Sequence, residues 1–310
     1  MTITSTGPAA AAATDDERSP GGPWSQALRR LLGDPYSVVA LVVLGIVVLL
    51  AVLAPWVAPY DPLETDPSAA MQGPSGAHLL GTDNLGRDLL SRVLDGARFS
   101  LMIGVLGSVL GAMVGTVLGV LAGYVRALDA VIMRLVDIVL AFPSVLIALA
   151  VVAALGGGIF QTILAIAVSN FPKFVRLVRG QTLVIKERTY VEAALCTGLS
   201  HRRIVQRHLL PHLLGVVVVY ATVRFGLGIV IAATLGFLGL GVPPPTPEWG
   251  VMLSDSREYL AIHPLMLMVP AAAIFITVIA ANLLGDGLRD ALDPKTDRAK
   301  GRAVRRLGME

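Results

Sequence analysis

A single cysteine, Cys196, in 310 residues excludes a disulfide framework, and its position in a polar stretch favours a small packing residue over a reactive thiol. Charge is also scarce: Asp, Glu, Lys and Arg together make up 15% of the chain, and aromatic residues only 5%. No glycine-rich loop ending in Gly-Lys-Ser/Thr occurs, and no soluble stretch is long enough for a nucleotide-binding domain, so this chain does not itself use ATP. His201, His208 and His212 are near one another, but Pro211 is expected to interrupt the helix between the last two. No acid or cysteine completes a metal-ligand set with them, so no metal site is expected.

Apolar residues are abundant. They account for 55% of the chain, and the mean hydropathy of +0.72 lies beyond that of ordinary soluble domains. The expected class is an all-α, polytopic membrane protein. Six spans are expected, since about 20 apolar residues cross the hydrocarbon core: 37–58, 101–125, 131–155, 159–171, 213–235 and 264–284. The fourth is short, and is expected to continue as a helix through Pro172, with Lys173 and Arg176 reaching the headgroups.

The cations are unevenly placed. Arg18, Arg29, Arg30, Arg126, Arg134, eight between Lys173 and Arg207 and seven between Arg289 and Arg306 fall on one side; Arg87, Arg92, Arg98 and Arg257 fall on the other. By the positive-inside rule both termini are expected in the cytoplasm, and the net charge of +3 reflects topology rather than nucleic-acid binding. The expected organisation is a tail and interfacial helix (1–35), a first span (36–60), an external loop (61–100), a five-helix core (101–285) with a cytoplasmic loop (173–212), and a cytoplasmic tail (286–310). Within the first of these, 1–23 is expected to be disordered, and Trp24, Leu28 and Leu31 or Leu32 share a helix face suited to the inner leaflet.

Gly107, Gly111, Gly115, Gly119 and Gly123 recur every four residues, after Gly104. Such a stripe lets another helix approach closely, and packing within the subunit is the favoured reading over a pore-lining groove. Arg224 falls deep in the fifth span, where a lipid-facing charge costs several kcal/mol. It either pairs with an acid such as Asp137 or lines the translocation path and meets a carboxylate; Asp137 with Arg134 reads as a cap at the inner mouth.

The polar island from Glu192 to Pro211 is expected to form two short helices around a tight turn, with Gly198 in the left-handed position and Ser200 as N-cap of the second helix. Pro211 should stop or kink that helix. Its Glu192-Ala193-Ala194, Gly198 and Leu210-Pro211 resemble the coupling loop of bacterial ATP-binding-cassette importer permeases. The strings Gly81-Thr82-Asp83, Gly86-Arg87-Asp88 and Pro247-Glu248-Trp249-Gly250 are similar to those of the C-type permease in dipeptide and oligopeptide importers. The likeness runs from Trp24 to Pro294; His208 and His212 depart from the commonest loop pattern.

The resemblance implies a type I importer permease fold with Glu192, Ala193, Ala194, Gly198, His208, Leu210 and Pro211 coupled to the ATPases. It also implies partners: a second, B-type permease, two ATPase domains or one fused subunit holding ATP and Mg, and an extracytoplasmic peptide-binding protein. Glu248, Trp249 and Gly250 are the residues expected to contact that binding protein. The implied cargo is dipeptides or short oligopeptides, with nickel chelates, glutathione or another small solute as alternatives. A secondary transporter, the alternative of a different class, would show inverted repeats or clustered polar groups at the midplane, and neither is found.

Overall fold

The computed structural model describes residues 23–292. The readings for the first 22 residues and for the tail beyond residue 292 lie outside these. Among the described residues there is no β-strand, only an isolated bridge between Thr82 and Asp88.

Helix α1 (Pro23–Gly33) is followed by α2 (Pro35–Val57), whose start is fixed by Pro35 at its first turn and by the Asp34 carboxylate, which accepts the Ser37 N–H at 2.8 Å. Leu31 of α1 is buried against Leu284, Leu288 and Ala291 near the chain's last described turn, while Leu28 and Leu32 remain exposed. Helix α3 (Leu89–Tyr124) starts twelve residues earlier than the hydropathy suggests, because Asp88 caps it by accepting the Ser91 N–H at 2.8 Å. The expected external loop therefore ends in the first three turns of α3.

The third expected span is not one rod. It divides into α4 (Arg126–Leu140) and α5 (Ser144–Leu155), bent by 92° at Ala141-Phe142-Pro143. Pro143 has no N–H to continue the ladder and pushes Phe142 away from helical geometry, which ends α4. Helix α6 (Ile159–Lys186) runs through Pro172 without interruption, as the sequence suggested. It is followed by α7 (Thr189–Cys196), α8 (His201–Ile204), a π-helical turn at Val205–Leu209, α9 (Leu210–Phe237), α10 (Trp249–Ser256) and α11 (Leu265–Leu292).

Four helices or continuous stretches, Pro35–Val57, Leu89–Tyr124, His201–Phe237 and Leu265–Leu292, are long and apolar enough to cross a membrane, and the bent α4–α5 pair raises the number to five. The expected six is thus not reached on length and composition. Helix α6 falls short because it carries Gln161, Asn170, Lys173, Arg176 and Arg179, and it can do so because its other faces are enclosed by protein.

That enclosure depends on the glycine stripe. A Cβ placed on Gly107 would lie 2.7 Å from Ile166 Cβ, on Gly119 2.7 Å from Val178 Cβ, and on Gly123 2.6 Å from Thr182 Cβ. Gly111 and Gly115 face Ala167 and Phe174 in the same row, so the stripe is where α3 and α6 touch backbone to backbone. Gly104 instead faces Phe225 and Ile229 of α9. The close approach supplies van der Waals contact in place of the hydrophobic force missing in lipid. Helix α3 is thereby the central rod, packed against α6, α9 and α2.

Candidate functional site

The expected coupling loop hangs from the ends of α6 and α9. Helix α7 closes with a Schellman turn: Gly198 has φ +78°, its N–H donates to Leu195 O at 3.0 Å, and the Leu199 N–H donates to Ala194 O at 3.2 Å. Ser200 takes the extended N-cap conformation, but its hydroxyl makes no capping bond. Helix α8 is a single turn that leads into the π turn, where the Leu210 N–H reaches five residues back to Val205 O.

Of the two outcomes expected at Pro211, a stop or a kink, the stop does not occur. The proline sits in the first turn of α9, and the wide π turn relieves the clash its ring would make with the carbonyl four residues earlier. His208 and His212 consequently share a face: His212 Nδ1 lies 2.9 Å from His208 O, and both rings pack against Tyr190, each with centroids 6.0 Å away. A T-shaped ring contact and a 2.7 Å hydrogen bond join His201 to Tyr124 at the end of α3.

The loop has two faces. Val191, Ile204, Leu209 and Leu213 are buried with Val120, Phe174, Val178 and Ile185, and each such side chain contributes roughly 1.5–3 kcal/mol where water would otherwise reach it. Glu192, Ala193, Leu195, Arg202, Arg203, Arg207 and Pro211 are exposed, while Ala194, His208 and Leu210 are half-buried. Cys196 is exposed as well, so it is not the packing residue the sequence suggested. A rigidly attached, outward-facing polar and small-residue surface is thus available to a soluble protein.

The charged residues within the long helices depart from the pairing that was expected of them. Asp137 is taken by Arg176 at 2.7 Å, so it pairs neither with Arg224 nor with Arg134. Arg224 donates to the Tyr220 hydroxyl and lies 4.7 Å from that ring's centroid, while its Nε is buried with no partner. Lys173 does not reach a headgroup through a free stem; its Nζ donates to Ser144 Oγ at 2.5 Å at the bend between α4 and α5. A second ion pair, Arg179 to Asp129 through two bonds of 2.5 and 2.7 Å, ties α6 to α4.

On the opposite end of the bundle, Glu248, Trp249 and Gly250 are enclosed rather than presented to a binding protein. The Trp249 indole donates to Val93 O at 3.0 Å. The Glu248 carboxylate caps α10, accepting the Val251 N–H at 3.1 Å and the Ser100 hydroxyl at 3.0 Å, and burial pushes its pKa up. The residues fix α10 to α3 and α9, and Gly236 and Gly250 leave the space their packing needs.

Sequence reasoning singled out the Gly-Thr-Asp and Gly-Arg-Asp strings without giving them a structural role. Asp83 gathers them into a buried clamp: it accepts Arg87 Nε at 2.6 Å, lies 3.4 Å from Arg92 Nε, and receives the backbone N–H groups of Leu85 and Arg87. Asp255 of α10 lies 3.6 Å from Arg87 and 4.0 Å from Arg92, and burial raises its pKa against the pull of both cations. Gly81 and Gly86 have φ of +81° and +77°, backbone conformations that glycine adopts without a Cβ penalty.

Residues 115–298 match the family described as binding-protein-dependent transport system inner membrane component, and residues 22–74 match the N-terminal TM domain of oligopeptide transport permease C. The chain is 48% identical over 275 residues to the glutathione transport system permease protein GsiD of Escherichia coli O157:H7, covering 88% of this chain and 91% of that one. The GsiD protein of Shigella flexneri serotype 5b is 50% identical over the same coverage. In structure the chain is similar to the inward-facing MetNI methionine ABC transporter, with a TM-score of 0.54 at 19% identity over 66% of this chain and 98% of that one. It is also similar to an amino acid ABC transporter, with a TM-score of 0.50 at 13% identity over 64% and 92%. These likenesses set aside the secondary-transporter alternative. The chain belongs to the inner-membrane components of binding-protein-dependent transport systems, in the oligopeptide permease C branch.

Proposed function

We propose that this chain is one of two membrane subunits in an ATP-driven importer of short peptides, with glutathione, itself a tripeptide, among the solutes its GsiD relatives suggest. The second subunit is a homologous B-type permease. Two ATPase domains, separate or fused, hold ATP and Mg, and an extracytoplasmic binding protein delivers the peptide. The chain crosses the inner membrane six times, counting the α4–α5 pair as one bent span and α6 as the span that its neighbours shield; both termini face the cytoplasm.

The observation that carries this reading is the coupling loop. Glu192, Ala193 and Ala194 lie on a short helix closed by the Gly198 turn, and the segment containing His208, Leu210 and Pro211 continues unbroken into α9. An ATPase that grips the exposed face therefore moves α9 as a lever, a rigid-body step of the kind that switches access from one side to the other. The test is ATP-dependent uptake of labelled glutathione and a labelled dipeptide by the complete complex in proteoliposomes. Glu192→Lys should retain assembly and lose uptake; wild-type uptake by an assembled Glu192→Lys complex would overturn the coupling role.

A further inference from the structure

Two cations stand at one level of the contact between α6 and α9. Lys173 and Arg224 each lie at mid-length of a 28-residue helix, α6 and α9, and the two helices pack against each other. Phe174 and Tyr220 lock that level in a T-shaped contact with centroids 5.0 Å apart, and Tyr220 holds Arg224. Lys173 immediately precedes Phe174 and Arg224 follows Tyr220 by one turn, so this ring contact sets the two cations at one level. Both side chains are half-buried.

Like charges at one level of a half-buried helix contact repel, and natural proteins offset such repulsion with an anion. No acid of the described residues does so here. Asp137 is engaged by Arg176 and Asp129 by Arg179, while Lys173 bonds only the neutral Ser144 hydroxyl and Arg224 only the neutral Tyr220 hydroxyl. The buried, unpartnered Nε of Arg224 is a further donor without an acceptor.

A third positive element converges on the same point. Ser144 opens α5, a helix of 12 residues whose N-cap is Pro143 and which has no side-chain cap. The first-turn N–H groups are thus left for another acceptor, and the bond from Lys173 to Ser144 holds the lysine beside them. Broken helices in transporters present this end to anionic groups.

We propose that Lys173, Arg224, Ser144 and the first turn of α5 form an oxyanion site that takes a carboxylate of the transported peptide. This rests on the importer reading above and adds the chemical group recognised within the membrane. The guanidinium and the ammonium bind the carboxylate oxygens, the Ser144 hydroxyl, which accepts from Lys173, has its own O–H to donate, and an amidated peptide terminus lacks the charge the site requires. The chemistry would also suit a lipid phosphate, so the test separates the two sources.

The complete complex is placed in nanodiscs of zwitterionic phosphatidylcholine, and acylation of Lys173 by a small water-soluble reagent is followed by mass spectrometry. Lys186, bonded to the Gly123 carbonyl at 2.9 Å on the loop side, serves as internal reference. A free dipeptide should slow acylation of Lys173 at least about tenfold at saturation, while its C-terminal amide leaves the rate unchanged. Arg224→Gln should abolish the protection. Equal rates with and without dipeptide, or equal protection by acid and amide, would overturn the proposal. So would protection that appears only when phosphatidylglycerol is added and is indifferent to peptide, which would assign the site to a lipid headgroup. Should Arg224→Gln not assemble, the wild-type comparison alone decides. ATP-dependent uptake is measured separately: its absence would sink the importer reading and leave the carboxylate result readable.

Discussion

Replacing Gly198 tests the coupling loop by backbone strain alone. A Cβ built on Gly198 meets no atom within 4 Å, so no clash accompanies the substitution; what remains is φ of +78°. For an L-residue the left-handed region costs about 1–2 kcal/mol, and a β-branched side chain stands at the upper end or beyond it. Relieving that strain means giving up the two bonds that close α7, from Gly198 and Leu199 to Leu195 and Ala194. Because α7 has only eight residues, a loss of about 2 kcal/mol shifts its local folding equilibrium roughly 30-fold. Hydrogen exchange of the amides from residue 193 to 199 in the assembled complex should therefore accelerate by that order in Gly198→Val, by less in Gly198→Ala, and least in Gly198→Asn, since asparagine tolerates this conformation. Uptake should fall in the same order while α3 and α6 keep their protection. Equal exchange in the Asn and Val variants would refute the argument from φ, and wild-type uptake by Gly198→Val would refute the coupling role.

Gly119→Leu would drive its side chain into Val178 Cβ at 2.7 Å and Val175 O at 2.9 Å, so the α3–α6 contact should lose about 3 kcal/mol or more, read as a lower yield of monodisperse complex; Gly180→Leu, in open space on α6, should not. The Glu248 carboxyl, its pKa raised by burial, keeps its proton in the fold over a range where the unfolded chain has already released it. Stability should therefore fall as pH rises from about 4.5 through that range, and Glu248→Gln should flatten the dependence in thermal unfolding of the complex. For topology, Ser75→Cys in a Cys196→Ser background should react with an impermeant maleimide in intact cells and Ser200→Cys should not; both positions are exposed, so the reverse result would invert the orientation.

How much of this was legible in the sequence follows the range of the interactions. The glycine stripe, the Gly198 turn and the continuation of α6 through Pro172 are local patterns or one-face patterns, and each reads directly from residue spacing. The bend at Pro143 and the start of α3 at Asp88 were signalled too, by a proline and a capping acid, but average hydropathy over a span outweighed both. Pro211 misled for a different reason. A proline breaks a helix whose turns hold to the usual pitch, and nothing local announces a π turn ready to accommodate it.

The candidate site was legible only where it is contiguous. The coupling loop occupies one segment, so its polar face and its turn could be assigned before any packing was known. The clamp around Asp83 and the enclosure of Glu248 need α3, α9 and α10 in place, and the expected contact of Glu248, Trp249 and Gly250 with a binding protein fails because packing among those helices encloses them. The Lys173–Arg224 pair is harder still. Read singly, each cation suggests its own bland solution, a snorkelling lysine and an arginine paired with the nearest acid. Only when the fold gives Asp137 to Arg176, and turns α5 so that Ser144 meets Lys173, are two charges left at one level with no counterion among the described residues. On the proposal above, the partner that these local solutions leave open comes from outside the described residues and is the carboxylate of the cargo.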